Sequence, residues 1–370
     1  MILAKKVRLK PIAEQEKQLW KSAGTARWTY NWALARQEQN YQNGGKFLSD
    51  SVLRKELTQL KQTHEYDWLY DVSNNVTKQA VKDACEAFKK YFKKLAGKPR
   101  FKSRKHIKPS FYNDNVKLKV KNDRVLIEKI GWVTTAEKLP TNVKYTNPRV
   151  FFDGKYWYLS VGIEQEVEKP ILTHEVIGID VGIKHLAICS NGMLFKNINY
   201  FHAVKKAERR LSRLQRNVSL KYEMNKEGNR FVKTSNIVKV ENAIRLLHRR
   251  LANIRNNHIH QATNAIVKTK PGIVVMETLN IKGMMKNRHL SRAISQQKLY
   301  EFKRQIQYKC EKYGIRFMEA DKWYPSSKTC SECGQINRDL RLSDRIFKCQ
   351  CGLEVDRDLN AAINLAKLAS

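Results

Sequence analysis

The sequence predicts a multidomain protein of mixed α/β and α+β class, and three observations carry that expectation. At 370 residues the chain exceeds the length at which a single hydrophobic core usually stops growing. Its hydrophobic pattern changes period along the chain. Helical spacing dominates residues 11–109, two-residue alternation dominates 110–170, and helices then alternate with short strands. Finally, GIVVMETL is apolar on both faces from Ile273 to Met276, as a central parallel strand requires.

In chain order, residues 1–10 alternate as a short strand, with Val7 and Leu9 set between Lys6, Arg8 and Lys10. Pro11 opens a helical region. A second helix is expected from about Ser49 to Lys61, with Ser49 or Asp50 as its N-cap. A third, over 74–94, repeats Val76, Ala80, Ala84, Phe88 and Phe92 along one face and is rich in Lys elsewhere. The basic stretch GKPRFKSRKHIKP ends the helices. Turn signals at Asn122-Asp123 and Asp153-Gly154 then punctuate a β-module that closes near Lys169-Pro170. A second β-region starts at Glu175 with VIGIDVGIKHLAICSNGMLFK. Two basic helical segments (200–217 and 236–269), the strand GIVVMETL, a helix over 296–313 and the strand IRFMEA follow. A cysteine-containing segment comes next, and a helix beginning near Leu359 closes the chain.

The charge balance narrows the function. Lys and Arg number 71 against 35 Asp and Glu, a formal +36, and a field that positive attracts polyanions, nucleic acid above all. No long amphipathic segment stands apart to favour a membrane surface. No apolar run approaches the roughly 18 residues of a membrane span, and the N-terminus has no signal-peptide h-region. Cys85, Cys189 and Cys310 stand singly in apolar settings. That usage fits a reducing compartment, so a cytosolic location is expected.

Two acids occupy informative places. In VIGIDVG, Ile177 and Ile179 face one side of an extended segment while Gly178 and Asp180 face the other, and the flanking glycines permit close approach. Glu277 appears where the apolar run of GIVVMETL ends, and ligand sites in such sheets lie beyond the carboxyl ends of strands. Taken singly, each reads as a strand-end or capping residue. Gathered together they would repel one another unless a cation held them. Mg²⁺ or Mn²⁺ suits such oxygen ligands, and a pair about 3.5–4 Å apart supports phosphodiester hydrolysis.

Cys330-x₂-Cys333 and Cys349-x-Cys351, separated by fifteen residues, offer four thiolates on two knuckles. Tetrahedral Zn²⁺ takes this set, and four protein ligands make the site structural. Gly334 and Gly352 follow the second cysteine of each knuckle and allow the tight turn that brings backbone amides to sulfur. His258-Ile259-His260 matches the His-hydrophobe-His pattern of single-strand nicking enzymes. It lies inside a segment that reads as one helix, however, whereas that chemistry needs both histidines on a strand. His260 is instead read as a buried or phosphate-contacting helix residue.

With these residues in hand, the chain resembles the TnpB family, the OrfB proteins of bacterial and archaeal insertion sequences, which are RNA-guided DNA nucleases related to type V CRISPR effectors. The likeness runs in order through RWTYNWAL, GKPRFKSR, GIDVGIKHLA, HRRLANIRNNHIHQAT, VVMETLNIKGM, PSSKTCSECG and DRDLNAAINL. It implies a β-barrel wedge module from 1–10 and 110–172, with a helical recognition lobe over 11–109. It further implies an RNase H-like (RuvC) nuclease domain from 173–325 and 354–370, with a zinc ribbon inserted at 326–353. Carried over by motif, the catalytic and Mg²⁺-binding acids are Asp180, Glu277 and Asp358. The second knuckle departs from the x₂ spacing of many members, which touches only its local geometry.

The resemblance implies a guide RNA encoded by the element itself and a double-stranded DNA target; the sequence does not give the oligomeric state, with a monomer favoured. By analogy with effector complexes, the protein reads a short motif beside the target while pairing reads the sequence. Asn75, Lys78 and Gln79 are the candidates for motif contact, because Asn and Gln suit adenine edges and Lys suits guanine or phosphate. Arg100, Lys102, Arg104 and Lys105, with Arg209, Arg210 and Arg213, are candidates for backbone phosphates. Asp358 is expected at the start of the last helix, aimed at the other two acids, and Asp356 is read as a partner for Arg357 or a nearby Lys. Segment 284–297 is polar and Met-rich, and its position after Glu277 suggests a lid. The rival classes are a strand-transferring transposase and a non-cleaving RNA-guided repressor.

Overall fold

The computed structural model describes residues 1–104, 107–166, 170–341 and 343–369, and the chain divides into two compact units, Met1–Gln165 and Glu166–Ser370. In the first unit the alternating N-terminus forms β1 (Ile2–Lys10). The helices α1 (Ala13–Gln42), α2 (Asp50–Leu60) and α3 (Asn74–Phe92) follow. Ser49 caps α2 as its sequence suggests, accepting the Val52 N–H at 3.4 Å. Tyr30, Leu34, Leu53, Leu57, Val81 and Ala84 join the three helices in one core.

The β-module comprises β2 (Ser110–Tyr112), β3 (Lys119–Lys121), β4 (Arg124–Ile127), β5 (Gly131–Thr135), β6 (Tyr145–Phe152) and β7 (Trp157–Glu164). β1 inserts antiparallel between β7 and β5, giving the order β2-β6-β7-β1-β5-β4-β3. Alternation turns Val7, Leu9, Ile127, Val133, Leu159 and Val161 to one face, where Leu19 of α1 and Val76 of α3 cover them. The expected barrel is not closed among the described residues. Its two ends, β2 and β3, are three-residue strands that offer few groups for a closing ladder, and they do not pair.

The second unit opens with β8 (Val176–Val181), β9 (His185–Cys189) and β10 (Leu194–Lys196). Two long helices, α4 (His202–Met224) and α5 (Ser235–Lys268), are joined through the short hairpin of β11 (Lys226–Glu227) and β12 (Arg230–Phe231). Then come β13 (Ile273–Glu277), α6 (Ile281–Met284), α7 (Ser291–Gln297), α8 (Leu299–Tyr313) and β14 (Arg316–Ala320). The hairpin of β15 (Ile346–Lys348) and β16 (Glu354–Asp356) precedes α9 (Arg357–Lys367). No helix among the described residues is long and apolar enough to cross a membrane.

The main sheet runs β10-β9-β8-β13-β14. Strands β8, β13 and β14 are parallel, and β9 and β10 are antiparallel to their neighbours. Ile177, Ile179, Val274 and Met276 turn to the face covered by α5 and α8. Val275 turns to the other face and packs with Leu365 of α9. Gly178 makes that second contact possible, since a Cβ there would overlap the Ala362 carbonyl and the Ala366 amide. The helix expected over 296–313 is broken at Lys298, which adopts φ 55° and ψ 44°. Tertiary hydrogen bonds outweigh the local cost of that left-handed residue: Lys298 Nζ reaches Asn256 Oδ1 at 2.6 Å, and the side chain of Gln297 is drawn inward.

Candidate active site

Ile179 pairs with Met276 across the β8–β13 ladder, so Asp180 and Glu277 stand on the next rung of neighbouring parallel strands. Strand alternation gives Asp180 the same face as Gly178, and Glu277 the same face as Val275. Both therefore turn toward α9, whose first turn carries Asp358. Three elements far apart in sequence thus deliver one acid each to the carboxyl end of the sheet.

The electrostatics of this group call for a cation. Burial, then the charges of Glu277 and Asp358, push the Asp180 carboxyl well above its usual range, while Arg357 pulls the other way. Burial, followed by the Asp358 charge, raises Glu277 to about 7. Among the described residues only the cysteine quartet brings three or more metal-ligating side chains within 4.8 Å of one another, so the acids sit more loosely. Hard oxygen donors, buried and short of positive charge, form a set that fits a divalent cation.

Of the two aspartates of DRDLN, Asp356 takes a partner other than the Arg357 or nearby Lys expected for it. Asp356 caps α9, its Oδ1 accepting the N–H groups of Asp358 at 2.9 Å and Leu359 at 3.2 Å. The Arg357 guanidinium meets the Asp358 carboxylate instead, with Oδ1 at 3.2 Å from Nη2 and 3.4 Å from Nε. The cap also starts the helix at Arg357, two residues before the expected Leu359. A carboxylate just ahead of a helix finds free backbone donors within reach, and these outbid a guanidinium on the next residue.

The cysteines converge as their spacing predicts. Sγ of Cys330 lies 3.6 Å from Cys351, and Cys333 lies 3.5 Å from Cys349. Tetrahedral Zn–S bonds near 2.3 Å put sulfurs about 3.8 Å apart, so the quartet fits zinc and is too open for disulfides. Gly334 and Gly352 take φ of 78° and 94°, the left-handed turns expected of them. Burial raises the Cys330 thiol, but the backbone N–H groups of Cys333 and Glu332, together with the Cys333 and Cys349 thiols, more than offset it and bring it to about 7.

Sequence reasoning missed how this ribbon is attached. Asn360, wholly buried on α9, accepts the Ser331 N–H at 3.0 Å and donates to the Thr329 carbonyl at 2.7 Å. Asn364 donates to the carbonyls of Ser326 and Thr329 at 2.8 and 2.6 Å. Two asparagines one turn apart on an otherwise apolar face were the signal available.

The nucleic-acid candidates divide. Lys78, Arg100, Arg104, Arg209, Arg210 and Arg213 are exposed. Three others are half-buried and engaged internally by a neighbouring acid or ring. Asn75 donates to Glu128 at 3.1 Å, and Gln79 to Asp83 at 2.8 Å. Lys102 sits 3.5 Å above the Tyr30 ring, where burial lowers its pKa. Lys105 lies outside the described residues. Arg209 and Arg213 border a groove of about 600 Å³ with Lys205, Arg216 and Arg292. His258 and His260 lie within α5, as expected, and His258 Nε2 bonds the Lys196 carbonyl at 2.8 Å.

Comparison with known proteins places this geometry. Residues 159–288 match the OrfB family of IS605, described as a probable transposase, and residues 300–365 match the Cas12f1-like TNB domain. Residues 1–46 match a domain described as helix-turn-helix, although here they form β1 and the single helix α1. A putative RNA-guided DNA endonuclease of Escherichia coli K12, InsQ, is 31% identical over 97% of this chain and 90% of its own length. A putative RNA-guided DNA endonuclease of Streptomyces pristinaespiralis is 30% identical over 97% and 87%. In a solved Cas12f1–sgRNA–target DNA complex, the protein superposes with a TM-score of 0.60 at 16% identity, covering 95% of this chain and 82% of that one. Sequence identity sustained over nearly the whole length, together with the ordered motifs, shows that the chain belongs to the TnpB (OrfB) family of insertion-sequence proteins.

Proposed function

We propose that this chain is an RNA-guided DNA endonuclease encoded by a transposable element, with a RuvC-type, RNase H-like nuclease domain. The convergence of Asp180, Glu277 and Asp358 from β8, β13 and α9 on one sheet face carries the reading, in a chain whose relatives named as RNA-guided DNA endonucleases match it nearly end to end. Residues 1–10 and 110–172 act as the wedge module and 11–109 as the recognition lobe. Residues 173–325 and 354–370 form the nuclease domain, and 326–353 the zinc ribbon.

The three acids would hold Mg²⁺, two ions in the expected arrangement. Bound there, such ions lower the pKa of water and stabilise the leaving oxygen of a phosphodiester. Asp180 and Glu277 supply fixed oxygens from rigid strand ends. Arg357 offsets part of the negative charge before DNA arrives, and Asp356 holds the first turn of α9 so that Asp358 keeps its direction. The Cys330, Cys333, Cys349 and Cys351 knuckle, anchored by Asn360 and Asn364, fixes the start of the same helix. One acid triad implies that a single pocket cuts the two strands in turn. Exposed Arg209, Arg210 and Arg213 suit backbone phosphates, so affinity for nucleic acid should fall steeply with salt. Lys78, Arg100 and Arg104 are the analogous choices in the first unit.

The test is to purify the protein with its flanking RNA and offer plasmids carrying a guide match beside a randomised motif. Linear product should depend on the guide and vanish in Asp180→Ala and Asp358→Ala, while Asp356→Ala only weakens cutting. Cleavage indifferent to the RNA sinks the reading, and joined products would indicate strand transfer.

A further inference from the structure

We infer that Gln297 is a positioning residue for cutting: it ties α7 to the strand end that carries Asp180, so the place of that acid depends on how α7 docks. This rests on the nuclease reading above.

Gln297 is the last residue of α7 and only 3% exposed. Its Nε2 donates to the Gly182 carbonyl at 2.9 Å and lies 3.5 Å from the Ile183 carbonyl. Both belong to the turn between β8 and β9, and Gly182 is two residues beyond Asp180. Asn197 grips the same turn, donating to the Ile183 carbonyl at 2.6 Å. The other end of Gln297 accepts from Asn199 Nδ2 at 3.4 Å, and Asn199 Oδ1 in turn accepts from Arg255 Nε at 2.7 Å. Arg255 pairs with Glu208 of α4 at 2.5 Å, and Gln296 donates to that same carboxylate at 2.7 Å.

Adjacent glutamines thus anchor α7 in two directions, one to α4 and one to the catalytic strand. Apolar side chains would pack this junction with no desolvation cost. A connected polar network instead fixes one geometry, because each member loses its partner if another moves. The αL residue Lys298, held by Asn256, ends α7 where Gln297 must turn inward. Asn197 holds only the Ile183 carbonyl, so a slip of α7 takes the Gln297 donor from the Gly182 carbonyl, the one nearer Asp180. Arg292 lies on the same short helix and lines the basic groove with Arg209 and Arg213. A nucleic-acid backbone in that groove would therefore bear on α7 and, through Gln297, on Asp180.

The experiment uses the full chain assembled with its RNA, comparing wild type with Gln297→Met, which keeps length and loses both hydrogen bonds. Guide-RNA retention, target-DNA Kd and the single-turnover cutting rate are measured on the same preparations. Cutting should slow about tenfold to a hundredfold, the scale of an ångström-level misplacement, with target affinity within about twofold of wild type. Gln297→Glu keeps the acceptor toward Asn199 but sets a carboxylate against two carbonyls, and it should show the same split. Wild-type cutting in both variants overturns the inference. So does an equal loss of binding and cutting, or failure of both variants to assemble with RNA, since either marks a merely structural role. If the wild-type complex itself makes no guide-dependent cut, the nuclease reading fails and the inference falls with it.

Discussion

Replacing Asn360 by leucine tests the join between the cysteine ribbon and the last helix. The side chains are similar in size, so the change removes hydrogen bonds without opening a cavity. The Ser331 N–H loses its acceptor, and Ser331 is 6% exposed, so little water can replace it. Leaving a buried donor unsatisfied costs about 1–3 kcal/mol. The Thr329 carbonyl keeps the Asn364 donor, so that end adds only the roughly 1 kcal/mol of one lost bond. The sum is about 2–4 kcal/mol, placed one residue from Cys330. A two-unit chain need not unfold in a single step, so zinc release to a chromophoric chelator is the sharper assay. Release from Asn360→Leu should be at least about tenfold faster, since each 1.4 kcal/mol of lost restraint is worth a factor of ten. Asn364→Leu leaves no N–H orphaned among the bonds described, and its effect should be smaller. Wild-type release from Asn360→Leu would refute the reasoning.

Two further outcomes follow from the same geometry. Gly178→Ala would drive a methyl into the backbone of α9 at Ala362 and Ala366, which cannot swing aside. It should destabilise the protein by about 1–3 kcal/mol and displace Asp358; an unchanged melting temperature together with undiminished cutting would contradict this. For pH, the raised pKa of Glu277 means that the folded chain binds this proton more tightly than the unfolded one. Its contribution to stability is present below the ordinary glutamate value of 4.5 and is lost as pH rises through about 7. Asp180, raised by burial and its neighbours, has the same sign. Without divalent metal, wild type should lose stability relative to Glu277→Gln across that window, by on the order of 3 kcal/mol. Chemical unfolding at intervals across the range checks it, and a flat difference between the two proteins would count against the burial of Glu277.

The sequence by itself determined the features that depend on local period and residue type. Alternation set β1 and the β-module, and the apolar run of β13 set a central parallel strand with Glu277 at its end. Gly178 and Asp180 were legible as the open face of β8 because strand geometry alternates strictly. The cysteine spacing and its two glycines were legible because a zinc knuckle is short and its turn chemistry is local. Tertiary structure decided what depends on competition between partners distant in the chain. The α9 amides claimed Asp356, and Arg357, one of its expected partners, meets Asp358 instead. Asp83 and Glu128 claimed Gln79 and Asn75 on the polar face of α3, and Tyr30 met Lys102 in the basic stretch beyond it, so all three are half-buried and engaged within the protein. Lys298 broke a continuous helical pattern because Asn256 offered a bond that local propensity cannot anticipate. Periodicity reports which side of an element is buried. Which of several polar groups meets which is settled by distances that exist only once the units have folded.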